Sequence, residues 1–159
     1  MLFPVPLSID ATSTESESMT GKLLIIDDNE RVFESLEINF RQIGFQCLWA
    51  ANGAEAQRIA AETRLQAAII DLSLENEDGI DVMQRLFALQ PGMPAIVITG
   101  FGSFADAVRA TKLGAYDFLA KPLTFDRLNE VLHEALRMSS GGGEASRPEA
   151  VIRSPAILA

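Results

Sequence analysis

The sequence has few of the residues on which cysteine and zinc chemistry depends. Cysteine, histidine, tryptophan and tyrosine each occur once in 159 residues. A single cysteine cannot form an internal disulfide, and one cysteine with one histidine disfavours both a zinc site and cysteine–histidine catalysis. Because Cys47 lies in the apolar stretch "FQCLWA", we interpret it as a buried packing residue in a strand.

Basic residues and long apolar runs are also scarce. There are 13 Lys and Arg residues against 22 Asp and Glu residues, and the formal net charge is −9. This charge disfavours direct binding of the chain to nucleic acid, whose phosphates would repel it. No apolar run approaches the roughly 20 residues that span a bilayer, so no membrane association is expected. The first 20 residues contain no Lys or Arg, unlike a secretory signal, and we expect a cytoplasmic protein.

Composition divides the chain into three parts. Residues 1–20 contain two prolines followed by Ser, Thr and Glu, with little apolar periodicity, and we expect them to be disordered. Residues 139–159 begin with the Gly/Ser-rich sequence "SSGGGEAS", and we expect a flexible tail. The segment between them, residues 21–138, has the size of an ordinary domain with a buried core.

Within that domain, five apolar runs of strand length alternate with segments of helical spacing. Several runs are apolar at almost every position, as in a parallel sheet that is covered on both faces. Parallel neighbours need crossover connections, which place helices on both sides of the sheet. We therefore predict an α/β fold, a five-stranded parallel sheet with five alternating helices in three layers. The runs are "LLIID" at 23–27, "FQCLWAA" at 45–51, "AAIID" at 67–71, "AIVITG" at 95–100 and "YDFLA" at 116–120.

The helical segments carry apolar residues at every third or fourth position, which we interpret as stripes that pack on the core. A weaker, alanine-rich helix is predicted at 54–61, and Gly44 and Gly114 are predicted to end two helices. The four clear stripes are Val32, Phe33, Leu36, Phe40 and Ile43; Val82, Met83, Leu86 and Leu89; Phe104, Ala107, Val108 and Leu113; and Leu128, Val131, Leu132, Ala135 and Leu136.

Polar side chains follow the ends of four predicted strands. Asp27 and Asp28 end the first, Asp71 the third, Thr99 the fourth and Lys121 the fifth. The reactive crevice of such a sheet lies beyond the carboxyl ends of its strands, so we expect these five side chains to lie close together.

Three carboxylates at one place predict a bound cation. Such groups repel one another unless a positive charge lies among them, and oxygen ligands suit Mg2+. We expect Asp28 to bind the ion directly and Asp27 to bind it through water. Asp71 and the backbone carbonyl of Ser73 would complete the protein ligands.

A carboxylate beside a metal, a lysine and a hydroxyl can attack phosphorus and carry the phosphoryl group as an acyl phosphate. Asp71 is the candidate nucleophile because it ends the third strand, which we expect at the centre of the sheet. Lys121 would neutralise one phosphoryl oxygen, and Thr99 would donate a hydrogen bond to another.

Four motifs give this pattern a family. "LLIIDDNE", "IIDLSLENEDGID", "VITGFGS" and "GAYDFLAKPL", in this order and spacing, closely resemble the receiver domain of bacterial two-component response regulators, especially receivers of the nitrogen-regulator and redox-regulator types. The resemblance implies a flavodoxin-like fold, phosphorylation of Asp71 by a partner histidine kinase, and a switch formed by Thr99 and Phe118. It also implies a cis Lys121–Pro122 bond, which proline makes accessible.

The resemblance has one departure in the loop after Asp71. Many family members carry a proline four residues after the phosphorylated aspartate, where this chain has Glu75. The loop length is unchanged and the acidic-Gly turn is kept as Asp78-Gly79. We therefore expect altered stiffness of the loop and unchanged chemistry.

Three alternatives compete with a phosphorylated switch. A pseudo-receiver would act as an interaction module without phosphorylation, but it would normally have lost one of the site side chains. A phosphohydrolase of the haloacid dehalogenase kind would place an acid two residues after its nucleophile, where this chain has Ser73. A nucleotide- or flavin-binding domain would need a Gly-rich phosphate loop after the first strand, and the sequence has none there.

The resemblance also predicts how the signal leaves the domain. Phosphorylation would draw in Thr99, and Phe118 would turn inward and remodel the surface of the fourth helix, fifth strand and fifth helix. That surface would bind a downstream target or a second copy of the chain. The partner upstream would be a histidine kinase or a histidine phosphotransfer protein. Either a stand-alone receiver or the receiver of a longer transcription regulator fits the sequence.

Overall fold

The computed structural model describes residues 21–140. The extension predicted at 1–20 and residues 141–159 of the predicted tail lie outside these described residues. The last helix of the described residues ends at Ser140, so it includes the first two residues assigned to the tail by composition.

The main sheet and its helices alternate along the chain as predicted. The five strands of this sheet are β1 (Lys22–Ile26), β2 (Gln46–Ala50), β3 (Ala67–Asp71), β4 (Ala95–Thr99) and β5 (Asp117–Ala120). The helices of the described chain are α1 (Glu30–Gln42), α2 (Gly53–Glu62), α3 (Gly79–Leu89), α4 (Phe104–Lys112) and α5 (Phe125–Ser140).

The strands are parallel and lie in the order β2-β1-β3-β4-β5. Strand β3 is therefore central, as predicted, and β2 and β5 are the edges. All five strands point the same way, so their carboxyl ends meet at one edge of the sheet.

Two cores, one on each face of the sheet, make the three layers. Alternate residues of a strand point to opposite faces, so in β1 Leu24 and Ile26 pack with α2, α3 and α4, while Leu23 and Ile25 pack with α1 and α5. This near-continuous burial explains why the strands read as uninterrupted apolar runs in the sequence.

Four helices begin just past the carboxyl ends of the strands, each with a polar residue that caps it. The capping side chains accept hydrogen bonds from first-turn amides of α1, α2, α3 and α4, and they belong in that order to Asn29, Asn52, Asp78 and Ser103. Such caps satisfy amides that have no partner inside the helix. The caps fix where the loops of this edge end. Gly44 and Gly114 have φ values of 105° and 113°, which agrees with their prediction as helix terminators.

The prediction that every helical stripe packs on the core is wrong at four positions. Phe104 is 61% exposed, and Ile43, Leu89 and Leu113 also keep exposed side chains. Ile43 and Leu113 lie just past the last residue of α1 and α4, and Phe104 is the first residue of α4. Helix ends extend beyond the sheet that covers the middle turns, so periodicity there does not guarantee burial.

Cys47 is half-buried on the edge strand β2 and packs against the core shared with α1 and α5. Its role as a packing residue is confirmed, although it is less buried than predicted. Among residues 21–140, no helix has both the length and the hydropathy needed to cross a bilayer.

Candidate functional site

The carboxyl edge of the sheet gathers three acidic side chains. One carboxylate oxygen from each of Asp27, Asp28 and Asp71 lies within 4.8 Å of the other two. Asp27 is buried, Asp71 is partly buried and Asp28 is exposed, so the cluster opens to solvent on one side. The convergence of these residues, predicted from strand ends far apart in the sequence, is confirmed.

Asp27 is held by its own loop. Its Oδ1 accepts a hydrogen bond from the Asn29 amide at 2.9 Å. Burial raises the pKa of the Asp27 carboxyl, the Asn29 amide lowers it, and the neighbouring Asp71 raises it again, with a net upward direction. A buried acid with like charges beside it disfavours its own ionised form. A bound cation would offset the repulsion between these ionised carboxylates.

The donor set fits a hard divalent cation. Carboxylate oxygens are the ligands that Mg2+ and Ca2+ prefer. Each of the three residues in this cluster offers a carboxylate oxygen. The cluster can therefore hold a divalent metal ion. Ser73 lies beside it, and its amide donates to Oδ1 of Asp71 at 3.1 Å.

Lys121 brings the positive charge to the site. Its Nζ lies 3.8 Å from Oδ2 of Asp71, and the two side chains are 38% and 11% exposed. The Lys121 amide also donates to the Thr99 carbonyl at 2.8 Å, which ties the loop after β5 to the end of β4. The Lys121–Pro122 bond is cis, as the resemblance implied.

Thr99 ends β4 beside the central strand and is 1% exposed. Its Oγ1 accepts the Phe101 amide at 3.0 Å. Phe118 is half-buried against the core under α2, α3 and α4. A Cβ on Gly102 would lie 2.5 Å from Cγ2 of Thr99 and 2.6 Å from Cζ of Phe118. The two predicted switch residues therefore meet at the loop before α4, and glycine leaves them the space.

The loop after Asp71 contains a small hairpin that the sequence did not reveal. Ser73–Leu74 pairs antiparallel with Glu77–Asp78, and Asp78 then caps α3. Arg109 of α4 donates to Oδ2 of Asp78 at 2.6 Å. This contact raises the pKa of Arg109 and connects the loop after the candidate nucleophile with α4. The unusual Glu75 lies at the exposed turn of the hairpin, where no proline is needed to form it.

Trp49 is a residue of the site that motif reasoning missed. Its indole Nε1 donates to the backbone carbonyl of Asp27 at 2.8 Å, and its ring stacks on Phe33 with centroids 5.9 Å apart. The available signal was the position of the single tryptophan near the end of β2, next to the strand that ends in the acidic pair.

The parallel α/β fold and its acidic edge are those expected of a receiver domain, and sequence comparison agrees. Residues 23–133 match the response regulator receiver domain, and the chain belongs to this family. The family expected from the four motifs is confirmed, as is its sheet architecture.

Individual relatives match over most of the chain. This chain is 34% identical over 137 residues to the transcriptional regulatory protein GlrR of Escherichia coli, and the alignment covers 86% of this chain and 31% of that protein. The chain thus spans about a third of the length of this curated relative.

Two solved structures share the fold, and the match covers a larger part of their own chains. A Burkholderia pseudomallei response regulator, solved with a phosphorylated aspartic acid, a calcium ion and citrate, has a TM-score of 0.69 and 30% identity and covers 80% of this chain and 75% of its own. The beryllofluoride-activated NtrC4 receiver domain dimer has a TM-score of 0.71 and 30% identity and covers 74% and 98%.

Proposed function

We propose that this chain is a phosphorylation-activated signalling switch that accepts a phosphoryl group on Asp71 from a histidine kinase or a histidine phosphotransfer protein. The supporting observation is the meeting of three carboxylates at one sheet edge with Nζ of Lys121 3.8 Å from Oδ2 of Asp71. The phosphorylated aspartate in the Burkholderia pseudomallei structure supports the same chemistry.

The proposed reaction is a phosphoryl transfer between two nucleophiles. An Asp71 carboxylate oxygen attacks phosphorus, the new O–P bond forms, and the bond from phosphorus to the donor nitrogen breaks. The donor imidazole keeps the electron pair of that bond. The Ser73 amide at Oδ1 leaves the other oxygen, Oδ2, on the side of Lys121. Lys121 would then stabilise charge on the phosphoryl oxygens, and Thr99 would hydrogen-bond to one of them.

Asp27, Asp28, Asp71 and the Ser73 carbonyl would hold Mg2+. When bound, the ion supplies positive charge that offsets repulsion between the acids and the phosphoryl group. The calcium ion in the Burkholderia pseudomallei structure supports a divalent ion in this family, and our choice of Mg2+ rests on the small all-oxygen donor set.

The switch would act through Thr99 and Phe118, whose side chains both lie against Gly102. Phosphorylation would draw Thr99 toward the phosphoryl group, and Phe118 would move into the space left behind. The loop after Thr99 carries Phe101, which is 93% exposed, and leads into α4, whose Phe104 is also exposed. Such apolar side chains suit a surface that binds a target or a second copy. The NtrC4 receiver dimer supports self-association.

A groove beside Lys121 suits the phosphodonor. It lies between α1 and the loop before α5, and its apolar lining includes Val32, Leu36, Leu123 and Phe125. A donor protein seated there would present its histidine next to Asp71.

Several expectations from the sequence remain predictions at this stage. They are a cytoplasmic location, no activity beyond the chain's own phosphorylation and dephosphorylation, and no direct binding of this chain to nucleic acid. The phosphohydrolase alternative has less support because Ser73, rather than an acid, follows Asp71 at the second position. The pseudo-receiver alternative has less support because all five site side chains are present.

Hydrogen exchange tests the switch directly. Wild type and Asp71→Asn are compared in Mg2+ before and after acetyl phosphate is added. We expect wild type alone to change the protection of residues 100–113, the loop after β4 with α4. Equal exchange in wild type before and after the donor would favour the pseudo-receiver. Equal changes in both proteins would place the modification elsewhere.

A further inference from the structure

Trp49 holds the peptide that joins the two acids of the site. Its indole N–H donates to the Asp27 carbonyl at 2.8 Å, across 22 residues of sequence. That carbonyl belongs to the peptide unit between Asp27 and Asp28, and a peptide unit is planar. Fixing its oxygen therefore restricts the plane in which the Cα of Asp28 lies.

The neighbouring contacts fix the rest of Asp27. Its amide donates to the Ala50 carbonyl at 3.1 Å, and its Oδ1 accepts from the Asn29 amide at 2.9 Å. The paired register of β1 and β2 ends at Ile26 and Ala50. The indole thus supports the Asp27 carbonyl one residue beyond the strand, where β2 turns away toward α2.

The indole is itself held in place. The rings of Trp49 and Phe33 stack at 5.9 Å with an interplanar angle of 23°, and Phe33 lies on α1, which begins immediately after the acidic loop. A stacked ring has little rotational freedom, so its N–H direction is defined. This arrangement clamps the acidic loop between β2 and α1.

We propose that Trp49 is a positioning residue for the metal site: its indole N–H orients the Asp27–Asp28 peptide so that both carboxylates face Asp71. The inference rests on the proposed function. Groups that orient metal ligands typically change metal affinity or activity about 10- to 100-fold when removed. An effect at the lower end is expected because Trp49 acts on the backbone of the ligands.

Two variants separate the hydrogen bond from the packing. Trp49→Phe removes the donor and keeps an aromatic ring for stacking on Phe33. Phe33→Leu removes the stacking ring and leaves the indole N–H in place. Metal binding is read from the rise in Tm with Mg2+ concentration, because a ligand that binds only the folded state stabilises it. Phosphorylation by acetyl phosphate is measured separately across the same concentrations.

We expect Trp49→Phe to need about 10-fold more Mg2+ than wild type for the same rise in Tm. Phe33→Leu keeps the indole N–H but loosens the ring that carries it, so its Mg2+ requirement should rise less than that of Trp49→Phe. At saturating Mg2+ the phosphorylation rate of Trp49→Phe should return to that of wild type, because the nucleophile and Lys121 are unchanged. A merely structural role would instead lower the Tm without Mg2+ and leave the Mg2+ dependence unmoved.

The inference is overturned if Trp49→Phe responds to Mg2+ as wild type does, or if Phe33→Leu weakens the response equally. A wild type that is phosphorylated with no Mg2+-dependent rise in Tm also overturns it. A wild type that is neither phosphorylated nor stabilised by Mg2+ removes the proposed function itself.

Wild-type fluorescence gives a reading that needs no variant. Trp49 is the one tryptophan in the sequence, so its emission should change with Mg2+ over the concentrations that raise the Tm. Emission that stays constant while the Tm rises would contradict the coupling, even if Trp49→Phe failed to fold.

Discussion

Nζ of Lys121 lies 3.8 Å from Oδ2 of Asp71, although Asp71 ends β3, Lys121 follows β5 and β4 lies between these strands. At this distance the ammonium neutralises charge near the carboxylate and leaves its oxygen free to react. The exposure of Lys121 places it at the solvent side of the pair, where a phosphoryl group would enter. We therefore expect Lys121 to stabilise the negative charge on the phosphoryl oxygens during transfer.

Removing that charge should slow phosphorylation without unfolding the protein. We expect Lys121→Gln to reduce the phosphorylation rate from acetyl phosphate by about 100-fold, the loss typical for one electrostatic contact to a transition state. The control is Lys22→Gln, which removes the same charge at the opposite edge of the sheet, and its rate should equal that of wild type. A similar rate in Lys121→Gln would show that the ammonium has no role in transfer.

The raised pKa of Asp27 predicts a pH effect with a definite sign. Its folded-state pKa lies above the ordinary value of 3.8, chiefly because of burial. The contribution of Asp27 to stability is thus fully present below the unfolded pKa and is lost as the pH rises through the folded pKa. At neutral pH without metal, the charged form therefore destabilises the fold.

Asp27→Asn should consequently raise the Tm of the metal-free protein at pH 7 by a few degrees. Asparagine keeps an oxygen for the Asn29 amide but carries no charge. The same variant should lose the rise in Tm that Mg2+ gives wild type. Glu134→Gln, on an exposed position of α5, is the charge control and should change neither property. A lower metal-free Tm in Asp27→Asn would contradict the sign of the pKa shift.

The two glycines that flank Phe101 should respond differently to alanine. A Cβ at position 102 would lie 2.5 Å from Thr99 and 2.6 Å from Phe118, whereas a Cβ at position 100 would meet only Cδ of Lys121 at 3.9 Å. We expect Gly102→Ala to destabilise the protein by about 1–3 kcal/mol through overpacking. Gly100→Ala should stay close to wild type. Denaturant unfolding of both variants checks this, and equal stabilities would mean that the loop yields to the methyl group.

The thiol of Cys47 should react slowly with alkylating reagents in the folded protein. Burial, with a smaller effect from Glu37, raises its pKa from 9.0 to about 12. That shift lowers the thiolate fraction near pH 8 roughly 1,000-fold, since each pKa unit is a factor of ten. Alkylation followed by mass spectrometry should therefore be slow in the native state and fast in denaturant. Rapid native labelling would show that β2 opens at the sheet edge.

The site could be predicted from the sequence because the position of a strand end in a parallel sheet follows from the order of the elements. Once Asp27, Asp71 and Thr99 each follow a buried apolar run, the parallel arrangement alone brings them to one edge. The central place of β3 and the cis bond before Pro122 also agreed with expectation. Their distances, and the burial that raises the pKa of Asp27, depend on the packed structure.

Other features depend on side-chain directions that no pattern specifies. The hydrogen bond from the indole of Trp49 to the Asp27 carbonyl depends on the direction of one side chain near the end of β2. The hairpin at 73–78 is too short to give an alternating pattern. The exposure of Phe104 follows from the position of the first turn of α4 beyond the sheet, which apolar spacing does not reveal.

The central claim is that Asp71 is the nucleophile of a phosphorylation site to which several strand ends contribute side chains. Its most direct test is the intact mass of wild type and Asp71→Asn after incubation with acetyl phosphate and Mg2+. Wild type should gain the mass of one phosphoryl group, and Asp71→Asn should gain none. Equal gains in the two proteins, or no gain in wild type, would contradict the account.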